Sequence, residues 1–330
     1  MCAMKKRSSG KDFFFPCIVL VLVLMILISG LRILESTVFH KGTDPTIATR
    51  TIERNGIKYY PRQDITVVML LGIDQTGPVA PSGSYNNLGA SDVVSLLIFD
   101  ETNQQTRILC LNRDTMLEMP ILGMGGKKVG TTIQQLALAH SYGSGMEDSC
   151  ENVRDTVSDF LYGLKIDYYI SLNMDAIALL NDAVGGVTVN VTDDFSQVDP
   201  TIGMGQVTLM GQQAISYVRG RGGVGDQLNI SRMERQKEYL SGFMKSIQNK
   251  KNEDVSFFAT AYDQAIPYMV TDCSLNVLQD MAQRYGDYPI VEMLSPEGEN
   301  RKGEVYMEYY VDEEKLDALI LRLFYAPKKR

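Results

Sequence analysis

The chain has 330 residues, 45% of them hydrophobic and 22% charged, a balance that suits a folded core of one large or two small domains and excludes a disordered chain. Its net charge of −8 argues against a general nucleic-acid binder, because phosphate-backbone contacts need a basic surface. Any basic site must therefore be local.

Residues 13–31 carry no charge, and at about 1.5 Å per residue a helix there reaches about 28 Å, close to the hydrocarbon thickness of a bilayer. Lys5, Lys6, Arg7 and Lys11 precede the run. The positive-inside bias thus reads 1–12 as a cytoplasmic tail and 13–34 as a transmembrane helix, with the rest outside the cell membrane. A cleaved signal peptide is the rival reading, but the run is longer than a usual signal core and no small-x-small site follows it. Residues 35–63, mixed and polar with Gly42, Pro45 and Pro61, suit a stalk, and the extracytoplasmic domain then fills 64–330 with its core in 64–250. Of the five cysteines, Cys2 and Cys17 fall in the tail and span. The others make no zinc pattern, and whether Cys150 pairs with Cys273 is left open.

The run 65–73 is almost continuously apolar and of strand length, as in a strand covered on both faces, and it ends at Asp74. Residues 92–99 and 106–112 read as a hairpin around a polar turn. With its midpoint between Thr102 and Asn103, facing residues have numbers that sum to 205, which sets Asp92 opposite Arg113. Helices are expected around 131–140, around 146–162 and over 174–184, the last stopped by Gly185 and Gly186, with a strand over 187–191. Another helix (275–285), a strand (290–294) and a final helix (312–325) complete the pattern. Strands alternating with helices predict a three-layer α/β fold, a mixed sheet flanked by helices on both sides.

The most informative stretch is 217–236. Ser231 and Glu234 have capping-box spacing, so a helix is expected to start there with Arg232 and Arg235 in its first turn. Cations at that end oppose the helix dipole, a mild destabilisation of about 0.3–1 kcal/mol each, and a bound anion would reverse the sign. Arg219 and Arg221, two apart on an apparently extended segment, share a face and precede a glycine-rich loop. Four arginines in so short a stretch of an acidic domain call for a counter-charge, and forked guanidinium donors suit phosphate. The alternative is a solvated helix face with Glu234 and Glu238 as partners. Asp74 and Asp92 each stand by a strand end; taken singly each reads as a turn or cap residue, while the pair beside a phosphate site suggests Mg2+. Arg113 and Asp114 could equally form a surface ion pair. His40 and His140 have no neighbouring nucleophile pattern, and His140 reads as structural.

Several segments together resemble the LytR-CpsA-Psr family, the cell-envelope-related transcriptional attenuators. They are Leu71 to Asp74, Ser91 with Asp92, Asn112 to Thr115, Ile166 to Ile170, Asp182 to Val189, Leu209 to Arg221, and Arg232 to Gln236. The resemblance implies a phosphotransferase that moves a glycopolymer, such as a teichoic acid or capsular polysaccharide, from a polyprenyl-pyrophosphate carrier to peptidoglycan. It further implies Mg2+ at Asp74 and Asp92, and pyrophosphate binding by Arg113, Arg219, Arg221, Arg232, Arg235 and Gln236. Catalysis would then rest on Asp92, Arg113, Arg219 and Arg221, with membrane lipid as a neighbour and no nucleic-acid partner. Asn112 stands where the family usually has Pro, and Gln75 where it commonly has a basic residue. A non-catalytic receptor for phosphorylated lipid and a pyrophosphate hydrolase are the other readings, and Asp92 and Asp114 are both candidate general bases.

Overall fold

The computed structural model describes residues 51–225, 229–253 and 257–327. The tail over 1–12 and the membrane span expected over 13–34 lie outside them. Among the described residues no helix is long and apolar enough to cross a membrane.

In chain order the strands and helices begin with β1 (Ile52–Arg54), β2 (Ile57–Pro61), β3 (Ile65–Ile73), β4 (Ser91–Asp100), β5 (Gln105–Leu111), β6 (Met116–Gly123) and β7 (Lys127–Gln135). Next come α1 (Glu147–Phe160), β8 (Tyr168–Asn173), α2 (Met174–Ala183), β9 (Val187–Val191), β10 (Gly205–Leu209), α3 (Gln212–Arg219), α4 (Asn229–Glu253) and α5 (Phe257–Ala265). The last are β11 (Met269–Thr271), α6 (Leu275–Tyr285), β12 (Ile290–Leu294), β13 (Gly298–Lys302), β14 (Met307–Val311), α7 (Glu313–Phe324) and β15 (Tyr325–Pro327).

A six-stranded sheet of order β11-β8-β3-β4-β5-β12 forms the centre. Its β3–β8 and β5–β12 pairs are parallel, and the others antiparallel. Alternation along β3 explains the apolar run: Val67, Met69 and Leu71 face α1 and α7, packing with Val153, Val157 and Ile320, while Val68 and Leu70 face Met233 and Leu240 of α4 and Tyr285 of α6. Helices cover both faces, so the mixed α/β fold and its layers are as expected. The β4–β5 hairpin has the predicted register, from Val94 opposite Leu111 to Asp100 opposite Gln105. Cys110, Cys150 and Cys273 are buried thiols with no disulfide.

Four expectations change. Residues 52–61, assigned to the stalk, form the β1–β2 hairpin, and β2 also pairs with β15, so the domain begins earlier. The helix expected around 131–140 is instead β7 and two short 3-10 turns, because the β-branched Thr131, Thr132 and Ile133 pair with β6, a strand that Pro120 concealed in the sequence. Arg219 ends helix α3 rather than an extended segment. Helix α4 starts at Asn229, so Ser231 and Glu234 lie inside it and Arg232 is its fourth residue.

The loop between β3 and β4 is fastened from behind. Asn87 donates from Nδ2 to the carbonyls of His140 (2.7 Å) and Gly143 (2.9 Å) and accepts from the Gly89 amide (2.7 Å). His140 Nδ1 lies 2.8 Å from the Gly89 carbonyl, which can only accept, so this nitrogen carries the proton. Burial depresses the His140 pKa from its ordinary 6.5 to about 4, the Gly89 hydrogen bond opposing the shift. Between those values the unfolded chain binds the extra proton, so stability falls as pH drops from about 6.5 to about 4 and the loss is complete below that. The loss attributable to His140 is expected to approach about 3 kcal/mol. Urea unfolding across this range checks it, and His140→Gln should flatten that part of the profile.

Candidate active site

Asp74, Asp92 and Arg113 meet at one end of the sheet because β3, β4 and β5 are sequential antiparallel neighbours. Gly72 pairs with Val93 but Ile73 pairs with Ser91, which leaves Asp92 as the extra residue of a β-bulge. A bulge re-aims a side chain that regular alternation would send elsewhere. Without it, residue 92 would share the face of Val94 and Leu96 and point at α1; with it, Asp92 joins Val93 and Ser95 along a cavity and meets Arg232 of α4. Gly72 lets the strands approach closely here, since a Cβ there would lie 3.0 Å from the Val93 Cβ and push it aside.

Arg113 Nη1 donates to one oxygen of Asp92, and Arg232 Nη1 donates to the other at 3.2 Å. Arg113 Nε lies 3.4 Å from Asp114, whose Oδ1 also accepts from Gln135 Nε2 at 3.0 Å. Arg219, at the end of α3, reaches Asp74 Oδ1 at 2.7 Å, with both side chains nearly half exposed (46% and 42%). Arg221 is exposed, and its charge acts on both Asp114 and Arg232.

Arg232 is only 5% exposed. Burial lowers its pKa, Asp92 opposes that, and the positive charges of Arg113 and Arg221 lower it further. Asp114 is pushed up by burial, with Arg113, Arg221 and Arg232 pulling it back. The buried Nε groups of Arg113 and Arg232 have no hydrogen-bond partner. Guanidinium groups desolvated together are costly unless paired, and here Asp92 and Asp114 stand beside them.

The remaining two expected ligands bond to the segment that carries Arg219. Arg235 bonds to Asp193 (2.7 Å) and to the Gly220 carbonyl, and lies 5.6 Å over the Phe195 ring. Gln236 Nε2 donates to the Val218 carbonyl at 3.0 Å. Together they bond to the backbone on either side of Arg219. Sequence reasoning missed Asn229, which accepts from Arg232 Nη2 at 2.6 Å and donates to Asn112 Oδ1 at 2.8 Å. The preference of Asn for helix starts was the available signal.

Beside this cluster an apolar cavity of about 290 Å3 runs between the sheet and α4. Val93, Leu97, Ile170, Leu240 and Phe243 are among its walls, and Asp92 and Gln236 bring the charged site to its edge. Mg2+ takes hard oxygen donors, commonly one or two carboxylates completed by phosphate and water. Asp74 follows β3 and Asp92 sits in the bulge that opens β4, and among the described residues no group of three or more His, Cys, Asp or Glu could hold a metal. A cation held by these two carboxylates would therefore need further oxygens from a phosphorylated ligand.

A family model, the LytR_cpsA_psr family, matches residues 36–324. An Enterococcus faecalis protein named polyisoprenyl-teichoic acid–peptidoglycan teichoic acid transferase TagU is 29% identical over 280 residues, 84% of each chain. Among solved structures, a Streptococcus agalactiae protein superposes with a TM-score of 0.65 at 22% identity, covering 79% of this chain and 86% of its own. TagT bound to LI-WTA gives 0.62 at 21% identity, covering 86% and 98%. These likenesses carry the fold.

Asp92 neutralises two largely buried guanidiniums, whereas Asp74 pairs with one exposed one. Asp92→Ala is therefore expected to cost roughly 3 kcal/mol and Asp74→Ala less than about 1 kcal/mol, read by urea denaturation. Equal losses would contradict the shared-carboxylate arrangement.

Proposed function

The chain belongs to the LytR-CpsA-Psr family, and from that premise we propose that it is a transferase moving a glycopolymer, of teichoic-acid or capsular type, from a polyprenyl-pyrophosphate carrier to peptidoglycan. One observation carries the reading: Asp92, the acid that the Arg113 and Arg232 guanidiniums share, lines an apolar cavity, so a cationic cluster adjoins a greasy space. A diphosphate joined to a hydrocarbon chain has the matching halves. The teichoic acid transferase name of the Enterococcus faecalis relative supports the polymer class.

In the reaction, an acceptor hydroxyl oxygen attacks the glycan-linked phosphorus. The bond from that phosphorus to the bridging oxygen breaks, and polyprenyl phosphate leaves with the electron pair. Arg113, Arg219, Arg221 and Arg232 balance the charge that develops on the diphosphate, which is most of what phosphoryl transfer requires of a protein. Asp74 and Asp92 are assigned to Mg2+, which when bound would further neutralise the phosphate oxygens. Of the two carboxylates beside Arg113, Asp114 suits the hydroxyl proton better, since burial raises its pKa while Asp92 is held by two guanidiniums. Arg235 and Gln236 keep the arginine turn in place.

The uncharged run at 13–31 and the basic residues before it support a single-pass anchor with a cytoplasmic N-terminus. Such an anchor would keep the cavity within reach of a carrier lodged in the membrane.

Incubation with a short polyprenyl-pyrophosphate oligosaccharide, Mg2+ and peptidoglycan fragments is expected to release polyprenyl phosphate and glycosylated acceptor, read by mass spectrometry. Arg219→Ala should lower turnover about a hundredfold. Its melting temperature should hold, because the side chain is nearly half exposed. Normal turnover in that variant removes Arg219 from the site, and donor binding without product by the unaltered protein favours the non-catalytic receptor.

A further inference from the structure

We infer that Asn229 and Asn112 are positioning residues that aim the Arg232 guanidinium at the diphosphate; this rests on the functional reading above. All three side chains are buried, at 7%, 4% and 5% exposure. They form one chain of hydrogen bonds. Arg232 Nη2 donates to Asn229 Oδ1 at 2.6 Å, Asn229 Nδ2 donates to Asn112 Oδ1 at 2.8 Å, and the Asp114 amide donates to the same Asn112 oxygen at 3.0 Å.

The direction of this chain is fixed by chemistry. A guanidinium only donates, so Asn229 must turn its oxygen to Arg232 and its amide nitrogen to Asn112. Asn112 must then present its oxygen, the orientation that the Asp114 amide also demands. Both side-chain amides are locked by the charge at one end and a backbone N–H at the other.

The chain also joins two elements. Asn229 opens α4, and Asn112 follows β5 and directly precedes Arg113. The bond between the two asparagines sets the start of the helix against the strand end, and so sets Arg232 against Arg113, the two donors that share Asp92. A misplacement of about 1 Å in such a pair is enough to lower catalysis by orders of magnitude. The neutral carbonyl of Asn229 holds Arg232 without cancelling its charge, whereas a carboxylate there would compete with the phosphate. Met233 Sδ, 3.9 Å from Asn229 Nδ2, gives the other side of that amide only a weak acceptor.

A double-mutant cycle tests this on the full-length protein in detergent, with inorganic pyrophosphate as the calorimetric probe. Asn229→Ala is expected to weaken pyrophosphate binding about tenfold, the scale of one hydrogen bond to a charged group. Arg232→Ala should weaken it more, and the double variant should match Arg232→Ala alone, because Asn229 acts only through Arg232. Additive losses, or unchanged affinity in Asn229→Ala, would overturn the assignment. Should Asn229→Ala fail to fold, Asn112→Ala breaks the chain at its far end, and its smaller loss must likewise vanish in the Arg232→Ala background. If the unaltered protein binds no pyrophosphate, the functional reading itself falls; if it binds and the coupling is zero, only the positioning role falls.

Discussion

Two guanidinium groups share one carboxylate, and much of the structure follows from making that possible. Asp92 has to leave the alternation of β4, which the bulge accomplishes, and Gly72, having no side chain, gives the bulged strand close approach. Helix α4 has to present Arg232 to the sheet end while its next turns press apolar residues onto the same sheet face. Arg113 arrives from the other side, at the end of β5. Since an unpaired buried cation is costly, the arrangement holds together only around the shared acid. Arg221 acts on the group from the exposed side.

The order of layers places a greasy space next to that charge. Strand β4 lies in the middle of the sheet, and its Val93 and Leu97 line the cavity that Asp92 closes at one end. Residues on α4 serve both needs, Arg232 in the charged cluster and Leu240 and Phe243 in the apolar wall. A single helix thereby fixes the distance between the charged cluster and the apolar wall.

Much of this was legible in the sequence because it depends on local pattern. The hairpin register came from turn length alone and put Asp92 opposite Arg113. The apolar run of β3 gave a strand covered on both faces. The arginine cluster stood out against an acidic chain. What stayed hidden depends on partners distant in sequence. Lys127–Gln135 takes strand form by pairing with β6, and residues 52–61 join the domain through β15. Ser231 and Glu234 had the spacing of a cap, yet the helix starts two residues earlier, where Asn229 bonds to Asn112 across the fold. Arg235 looked like its neighbours until Asp193 and Gly220 appeared beside it.

The β2–β15 pair sets Pro61 opposite Tyr325, near the two ends of the described chain. A ribosome therefore delivers the two halves of that ladder far apart in time, and the early strand waits until residue 325 has emerged. Until then β2 has only β1 beside it, and its other edge is open to pairing with foreign strands. Completion of this small sheet thus follows synthesis of everything between its strands, and a chain cut short before residue 325 would carry that open edge permanently.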